Sequence, residues 1–406
     1  MPKIYLLTSY FPFQENSEAF LIPEIASQRD HIDEVEIFSV NSYGKTTYQQ
    51  PIPEGTKASC LFEALPSGLF KTESFFRVLF RKEIRAEIKD LKAQGRLSRQ
   101  RLKYLLAYAS RGMCIFRRLE QCADLKKDSI VYSYWMTQSA YAAALAAEKY
   151  GVKAVSRAHG YDLYDERNNG YQPLRKFMLE KLTAVYPVSQ KGVAYLTERY
   201  GYADKVKCRH LGTVNADGVH KLESRKPFRI VSCAYLVAVK RIPLLAKAIA
   251  LLKDQPIEWV HFGDGPEMEQ IQKIVKDAGI SGICQLKGNV PSDAIMTYYR
   301  QNDVSLLVNV SASEGIPVSI MEAMSYGIPV MATNVGGTGE IVHPGRNGIL
   351  LSEDITAEEL AEQIRAFMAM DPDSYAVYRK NAYQTWNEQF SAVHNFKSFY
   401  EELRQL

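Results

Sequence analysis

The fold is decided by one stretch, in which VSLLVNV (residues 304–310) leads directly into SASEGIPVSIMEAMSYGIPV (residues 311–330). The first run is almost wholly apolar, which is typical of a strand buried on both faces of a parallel sheet. Pro317 suits the first turn of a helix, because its missing N–H has no partner there anyway. A second apolar run, Pro329–Ala332, follows that helix. The stretch therefore predicts a strand, a loop, a helix and another strand.

Similar apolar runs, each bounded by Gly, Pro or polar residues, recur along the chain and alternate with amphipathic segments. The predicted strands are Ile4–Tyr10, Val35–Val40, Ile130–Trp135, Ala154–Ala158, Ala184–Val188, Arg229–Leu236, Glu258–Phe262, Ile283–Leu286, Val304–Val310 and Pro329–Ala332. The clearest helices between them are Pro266–Ala278, Ser292–Arg300 and Ala357–Met370. This alternation predicts an α/β fold with doubly wound parallel sheets.

The series starts afresh near residue 228, after the polar segment Asn215–Lys226, so we predict two Rossmann-like domains that face a cleft. Their expected bounds are residues 1–215 and 216–385, and Trp386–Leu406 is a helix candidate with nothing left to pair in the second sheet. Ligands of such sheets bind at the carboxyl ends of the strands.

Length and composition agree with two domains and exclude several classes of protein. The chain has 406 residues, 46% apolar and 24% charged, with a formal net charge of +4. That length exceeds what one hydrophobic core usually supports. The composition excludes a disordered chain, collagen and a coiled coil, and the small net charge gives no general case for nucleic-acid binding.

The cysteines and the N-terminus indicate a cytoplasmic protein that lacks a signal peptide. Six scattered cysteines, with no CxxC pair and no zinc-like spacing, are typical of thiols in a reducing compartment. The apolar run Ile4–Leu7 is too short for a signal-peptide core. The longest uncharged stretch, Ser129–Ala147, is broken by polar residues and is interpreted as a strand that enters a helix.

One region departs from the nearly neutral average. Residues 71–120 contain 14 Lys and Arg against 5 Asp and Glu, an excess of +9, interleaved with aromatic and aliphatic side chains. The interleaved residues are Phe75, Phe76, Leu79, Phe80, Tyr104, Leu105, Tyr108 and Phe116. A basic amphipathic helical insert can lie on an anionic membrane surface or meet an acidic acceptor. It can equally be a solvated helical pair that packs its apolar side on the first domain, and both interpretations stay open.

The loop of the opening stretch has the chemistry of a sugar-nucleotide site. Gly315 allows close backbone approach, and the helix after it points unpaired N–H groups at the loop, a ready anion site. Glu314 precedes this helix and Glu322 lies within it. Carboxylates placed there can accept hydrogen bonds from vicinal hydroxyls of a sugar or ribose.

Glu314, seven intervening residues and Glu322 resemble the E-x7-E signature of the family 4 retaining glycosyltransferases with the GT-B fold. The flanking residues strengthen the resemblance, namely Gly327-Ile-Pro-Val330, Val335-Gly336-Gly337-x-x-Glu340 and Gly345-Arg-Asn-Gly348. The resemblance implies that the donor site is built from Glu314, Gly315, Ile316, Pro317, Val318 and Glu322. It also implies that the C-terminal helix crosses back to the first domain.

Further segments match the family in order and spacing. Lys240 stands where the family Lys meets the donor diphosphate, but Ala234-Tyr235 replaces the usual Gly-Arg, so Arg241 is the candidate substitute. Arg241 could equally be a solvated residue at a helix start. Gly288-Asn289-Val290 resembles the loop that meets the nucleobase, which makes Val290 a base contact. Gly263-Asp-Gly265-Pro266 resembles the family's Gly-x-Gly-Pro turn, and can also be a plain turn from strand to helix.

In the first half, Arg157-Ala-His159-Gly160 resembles the His-Gly segment that faces the donor sugar, so His159 joins Glu314 and Lys240 as a candidate catalytic residue. The segment Tyr10-Phe-Pro and Asn16-Ser-Glu-Ala-Phe20 replaces the Gly-Gly loop of many members and is similar to a subset linked to exopolysaccharide assembly. Ser17 and Glu18 are expected to start a helix and line the acceptor side.

The resemblance implies a retaining glycosyltransferase that uses a nucleoside-diphosphate sugar, with UDP or GDP, and a glycan or lipid-linked glycan acceptor. No Asp-x-Asp follows a predicted strand, so we predict that catalysis needs neither metal nor cofactor. The expected location is cytoplasmic. Residues 71–120 are the candidate segment for peripheral contact with an anionic membrane. No nucleic-acid partner is expected. Two alternatives stay open, a nucleotide-sugar epimerase or hydrolase and a non-catalytic sugar-nucleotide-binding subunit; the latter is motivated by Tyr235.

Overall fold

The structure is a computed structural model that describes residues 2–15, 17–27, 35–64, 66–215 and 217–406. The chain divides into two compact units. The first unit contains the residues up to His210 together with Phe396–Leu406, and the second unit is Leu211–Asn395. Each unit is built on its own six-stranded sheet.

The first unit holds a parallel sheet in the order β3-β2-β1-β4-β5-β6. Its strands are β1 Ile4–Thr8, β2 Val35–Asn41, β3 Lys57–Phe62, β4 Ile130–Ser133, β5 Lys153–Ala158 and β6 Ala184–Pro187. Its helices are α1 Ile22–Ala26, α2 Gly68–Leu79, α3 Lys82–Ala93, α4 Arg99–Cys122, α5 Gln138–Tyr150, α6 Arg175–Lys181 and α7 Gln190–Tyr200.

The second unit repeats the architecture in the order β12-β11-β10-β7-β8-β9, again with parallel pairing. Its strands are β7 Phe228–Cys233, β8 Ile257–Phe262, β9 Cys284–Leu286, β10 Leu306–Asn309, β11 Val330–Thr333 and β12 Gly348–Leu351. The helices that follow are α8 Ile242–Ala250, α9 Met268–Asp277, α10 Ser292–Gln301, α11 Val318–Ser325, α12 Ala357–Met368, α13 Pro372–Gln389 and α14 Ala392–Gln405.

Each sheet reverses its strand order once, and the reversal fixes where a ligand can bind. In the first sheet the order reverses between β1 and β4, and in the second between β7 and β10. The loops that leave two such strands turn to opposite faces of the sheet and open a crevice at its carboxyl edge. The loops after β1, β4, β7 and β10 are therefore the places to look for chemistry.

The sheets confirm the predicted α/β fold class, and all ten predicted strands are present. Two strands were missed, β3 and β12, and both lie at sheet edges. An edge strand is covered on fewer sides, so its sequence need not be a continuous apolar run. In β3, for example, buried Leu61 alternates with partly exposed Cys60 and Phe62, and Lys57 is exposed.

The terminal helix begins differently from the prediction. Instead of one helix from Trp386, α13 extends to Gln389 and α14 starts at Ala392. The chain breaks there because Ser391 pairs with Thr213, whose N–H donates to the Phe390 carbonyl at 3.0 Å. Trp386 donates its indole N–H to Thr213 Oγ1 at 2.8 Å and belongs to the second unit.

The last part of α14 packs within the first unit. Phe399, Tyr400 and Leu403 are buried there, and the Arg157 guanidinium lies 4.2 Å from the centre of the Phe399 ring. Arg157 is itself fully buried and pairs with Glu24 at 3.1 Å. Across the described part of the chain, no helix combines the length and the apolar character needed to cross a bilayer.

Candidate active site

Two loops meet at the strand-order reversal of the second sheet. The loop after β7 carries Lys240, and the loop after β10 carries Glu314. Lys240 Nζ lies 2.5 Å from Glu314 Oε1, and the two side chains are only 24% and 10% exposed. A charge-assisted hydrogen bond of this length between partly buried side chains is strong, and it holds both side chains in place. The sequence-predicted pair is therefore brought together where a doubly wound sheet binds its ligand.

Arg241, the neighbour of Lys240, is used differently. Its backbone is left-handed (φ 50°), and its guanidinium donates to the carbonyls of Val310 at 2.6 Å, Glu353 at 2.6 Å and Ser311 at 3.2 Å. Burial lowers the pKa of Arg241 from its ordinary value, but the group still titrates far above neutrality. In this structure the guanidinium anchors the loop after β10 instead of pointing its donors at an open phosphate site.

The backbone around Glu314 is held by the glycine pair that follows β11. Gly336 has φ 53°, and a Cβ built on it would lie 1.7 Å from the Glu314 carbonyl oxygen. The Gly337 N–H donates to the Gly315 carbonyl at 2.6 Å. The Val-Gly-Gly motif thus has a steric reason, because only a glycine lets the two loops touch.

A similar reason explains the Gly-x-Gly-Pro turn after β8. Gly263 adopts φ 142°, and a Cβ there would lie 1.9 Å from the Ala234 carbonyl oxygen in the loop after β7. Its N–H donates to the Gly288 carbonyl at 2.8 Å. The turn therefore joins the Lys240 loop to the Gly288–Val290 loop, which is more than a plain connection between strand and helix.

Glu322 lies on α11 and is paired with a residue that sequence reasoning missed. Ser292 Oγ donates to Glu322 Oε1 at 2.8 Å, and Ser292 starts α10 two residues after Val290. Burial raises the pKa of Glu322 to about 7, so the carboxyl group is partly protonated near neutrality. The contact connects the predicted ribose ligand to the predicted base-contact loop.

The remaining predicted donor residues surround the start of α11. Ile316 is buried, Gly315 and Val318 are half-buried, and Pro317 is the residue just before the first helical residue, Val318. The helix begins one residue later than predicted. Its first N–H groups have no carbonyl four residues earlier within the helix and can receive an anion.

In the first unit, His159 follows β5 and sits among aromatic rings. Its ring centre lies 4.4 Å from that of Trp135, 5.1 Å from Tyr134 and 5.8 Å from Phe20. Its backbone N–H donates to Asp162 Oδ1 at 2.6 Å. Neither ring nitrogen of this buried histidine has a hydrogen-bond partner among the residues that the structure describes. Nδ1 does lie 3.7 Å from Asp162 Oδ2, so Nε2 is the ring nitrogen left to bind a ligand.

Glu18 occupies the loop after β1, in a way that the sequence did not indicate. Its carboxylate accepts the backbone N–H groups of Ser9 at 3.0 Å, Tyr10 at 2.9 Å and Phe11 at 2.9 Å. It also accepts the indole N–H of Trp135. A short 3-10 helix, Ala19–Leu21, follows it. Asn16, which completes the predicted motif, lies outside the described residues.

Three backbone N–H groups that converge on one carboxylate form an anion site. Here the anion is part of the chain. The Glu18 oxygens are engaged by this loop and by Trp135, and a role on the acceptor side stays a prediction.

Two Rossmann-like units, each built on a doubly wound parallel sheet, define the GT-B fold. Residues 218–385, nearly the whole second unit, match the family model described as glycosyl transferases group 1. This match covers about two fifths of the chain.

Curated relatives come from polysaccharide synthesis. WcaL of Escherichia coli K12, a glycosyltransferase named for colanic acid biosynthesis, is 26% identical over 59% of this chain and 61% of its own length. The amylovoran biosynthesis glycosyltransferase AmsK of Erwinia amylovora is 28% identical over 52% of this chain and 56% of its own. The chain thus spans somewhat more than half the length of these relatives.

Solved structures agree in fold across the whole chain. HepE of Anabaena, crystallised with UDP and glucose, aligns over 100% of both chains with a TM-score of 0.71 and 16% identity. The sucrose-phosphate synthase of Thermosynechococcus elongatus aligns with a TM-score of 0.72 and 15% identity, over 100% of this chain and 99% of that one. At these identities the likeness confirms the GT-B fold.

Proposed function

We propose that the protein is a retaining glycosyltransferase that moves a sugar from a nucleoside-diphosphate sugar to a glycan or lipid-linked glycan in surface polysaccharide synthesis. The observation that carries this proposal is the contact between Lys240 and Glu314 at the reversal point of the second sheet. The match of residues 218–385 to the glycosyl transferases group 1 model and the polysaccharide-synthesis names of the relatives support it.

The paired side chains suggest how the donor is handled. A bound diphosphate competes with Glu314 for the Lys240 ammonium, and the N-terminus of α11 adds partial positive charge. Glu314, released from Lys240, can then accept hydrogen bonds from hydroxyls of the donor sugar. Val290 and Glu322 are proposed to meet the base and the ribose, and His159 is proposed to act on the sugar. Arg241 contributes by holding the loop that carries Glu314.

In the proposed reaction the bond between the anomeric carbon and the diphosphate oxygen breaks, and the departing oxygen keeps the electron pair. The acceptor hydroxyl attacks from the same face, and its proton passes to the departing phosphate. Positive charge near the diphosphate stabilises the developing negative charge in the transition state. This route needs no nucleophilic carboxylate and no metal ion.

UDP is the first nucleotide to test, because HepE, a structural neighbour, was crystallised with UDP and with UDP-glucose. Sugar transfer and donor hydrolysis should be measured over a panel of UDP-, GDP- and ADP-sugars, with a lipid-linked glycan as acceptor. Transfer with at least one donor is expected, and its loss in Glu314→Ala is required. Donor breakdown that never yields a glycoside would favour an epimerase or hydrolase, and nucleotide binding without turnover would favour a non-catalytic subunit.

We also propose a cytoplasmic enzyme that contacts an anionic membrane peripherally through residues 71–120. That contact would bring the enzyme to a lipid-linked acceptor. The excess of +9 in this segment supports it.

A further inference from the structure

The structure separates the basic segment into a core part and a surface part. Tyr108, Leu105 and Phe116 of α4 are buried in the core of the first unit, and Tyr104 packs against that core. These residues therefore agree with the interpretation of a helical pair that packs its apolar side on the first domain. The outward-facing side chains of α2 do not.

α2 is apolar on two opposite faces. Its inner face holds Phe70, Ser74 and Val78, and packs on α4, where the Arg117 guanidinium lies 4.4 Å from the Phe70 ring centre. At 100° per residue, positions 69, 72, 76, 79 and 80 lie on the other side. Leu69 is 89% exposed, Phe76 55% and Phe80 79%. We call this outer face, with Leu79, the α2 ridge.

Exposed phenylalanines of this kind are costly in water. Each buried CH₂ is worth about 0.8 kcal/mol, and a contiguous exposed apolar patch marks a binding surface more often than a chance feature. Of the large apolar side chains that are exposed in the described residues, five lie within this one helix and its end, namely Leu69, Phe75, Phe76, Leu79 and Phe80.

The helix that follows supplies charge. Lys82, Arg85, Lys89 and Lys92 recur at a spacing of three to four residues, so they share one face of α3, and all four are exposed. None of them forms an ion pair with another described residue. Arg85 donates to the Phe80 carbonyl at 3.3 Å, so this α3 stripe adjoins the end of the α2 ridge.

We propose that the α2 ridge inserts into the acyl boundary of an anionic bilayer while the α3 stripe binds its headgroups. Aromatic and aliphatic side chains beside unpaired cations match such a surface in both polarity and charge. A protein partner or a second copy of this chain would have to supply several carboxylates around an apolar groove. This inference refines the proposed membrane contact and does not depend on which sugar is transferred.

The test is flotation of the full chain with phosphatidylcholine vesicles, with and without phosphatidylglycerol. Two variants address the surface, the ridge variant F76S/F80S and the stripe variant K82Q/R85Q/K89Q/K92Q. Matched controls remove equally exposed groups from the second unit and the start of α14, namely V377S/V393S and K247Q/K253Q/K273Q/K276Q.

Wild type should float with the anionic vesicles, and less so at high salt. The stripe variant should weaken partition by roughly a hundredfold, because each surface cation contributes several-fold to binding. The ridge variant should weaken it by about tenfold or more at any salt concentration. The two control variants should bind like wild type.

The proposal is overturned if wild type ignores anionic vesicles, or if the controls lose as much binding as the surface variants. It is also overturned if the ridge variant keeps its vesicle binding but abolishes a dimer seen by analytical ultracentrifugation, since the ridge is then a contact between copies. UDP binding should be measured on the same preparations. Because UDP binding belongs to the second unit, its loss would count against the proposed function and not against the membrane surface.

Discussion

At the scale of single residues, Lys240 is the strongest test of the donor site. Lys240→Ala removes the ammonium that is expected to meet the diphosphate. UDP affinity should fall by about tenfold to a hundredfold, whereas uridine affinity should hardly change, because charge-assisted contacts to phosphate contribute a few kcal/mol at most. Calorimetry with both ligands checks this. Lys247→Ala, an exposed lysine on α8, is the control, and equal losses for UDP and uridine would contradict the phosphate role.

Glu18 allows a second test at the same scale. Glu18→Ala leaves three backbone N–H groups and the Trp135 indole without their acceptor. The expected cost in unfolding free energy is about 2–4 kcal/mol, with a shift in tryptophan fluorescence. Added acetate or formate should partly restore both, since a small carboxylate can enter the vacated site.

Glu54→Ala, which removes an exposed carboxylate from the same unit, should change neither stability nor fluorescence. If Glu18→Ala is as stable as wild type and insensitive to acetate, the carboxylate does not organise this loop.

Glu322 gives a pH dependence whose sign follows from burial. Its pKa is raised from 4.5 to about 7 in the folded protein, so between those values the native state holds a proton that the unfolded chain has lost. The contribution to stability is therefore full below about pH 4.5 and is lost as pH rises through 7, a change of about 3 kcal/mol. Glu322→Gln should remove this slope from denaturant titrations between pH 5 and 8, and an unchanged slope would contradict the assignment.

Contacts between residues that are far apart in the sequence could not be predicted from the sequence. The pattern located Glu314 and Lys240, because their motifs are local in sequence. Ser292 was missed as a partner of Glu322 because its significance depends on a contact across 30 positions. The loop-organising contacts of Glu18 were not predicted, since nothing in the order of residues shows that three N–H groups converge on it.

At the scale of elements, two glycine substitutions distinguish the effect of a steric clash between two loops from the effect of backbone strain alone. Gly336→Ala places a methyl group against the Glu314 carbonyl, whereas Gly345→Ala has a similarly left-handed backbone (φ 72°) with no heavy atom within 4 Å of the added Cβ. Both should lose about 1 kcal/mol of stability from strain. Only Gly336→Ala should also weaken UDP binding, by displacing the Glu314 loop, and thermal shift with UDP measures it.

Elements were predicted well where they are buried on both sides and poorly where they are not. The central strands β7 and β10 are mostly apolar and almost wholly buried, which is the pattern expected of a strand covered on both faces. Edge strand β12 begins at Gly348, the last residue of the segment interpreted as a Gly-rich motif. The break between α13 and α14 depends on the pairing of Ser391 with Thr213, which helical periodicity cannot show.

At the scale of the whole molecule, the chain closes the first unit with its last residues, so a change near the C-terminus should act on a core built mostly from residues before 210. Phe399→Ala removes a fully buried ring that lies 4.2 Å from the buried Arg157 guanidinium. The expected loss is about 3–5 kcal/mol in the first unit. The second unit, which we propose binds UDP, should keep its UDP-protected unfolding transition near the wild-type midpoint.

Val393→Ala, an exposed position at the start of the same helix, should leave both transitions in place. If Phe399→Ala instead lowers both transitions equally, the two units do not unfold independently. If it lowers neither, the terminal helix is not part of the first core. Loss of the first-unit transition alone is the result that follows from the buried contacts of Phe399, Tyr400 and Leu403.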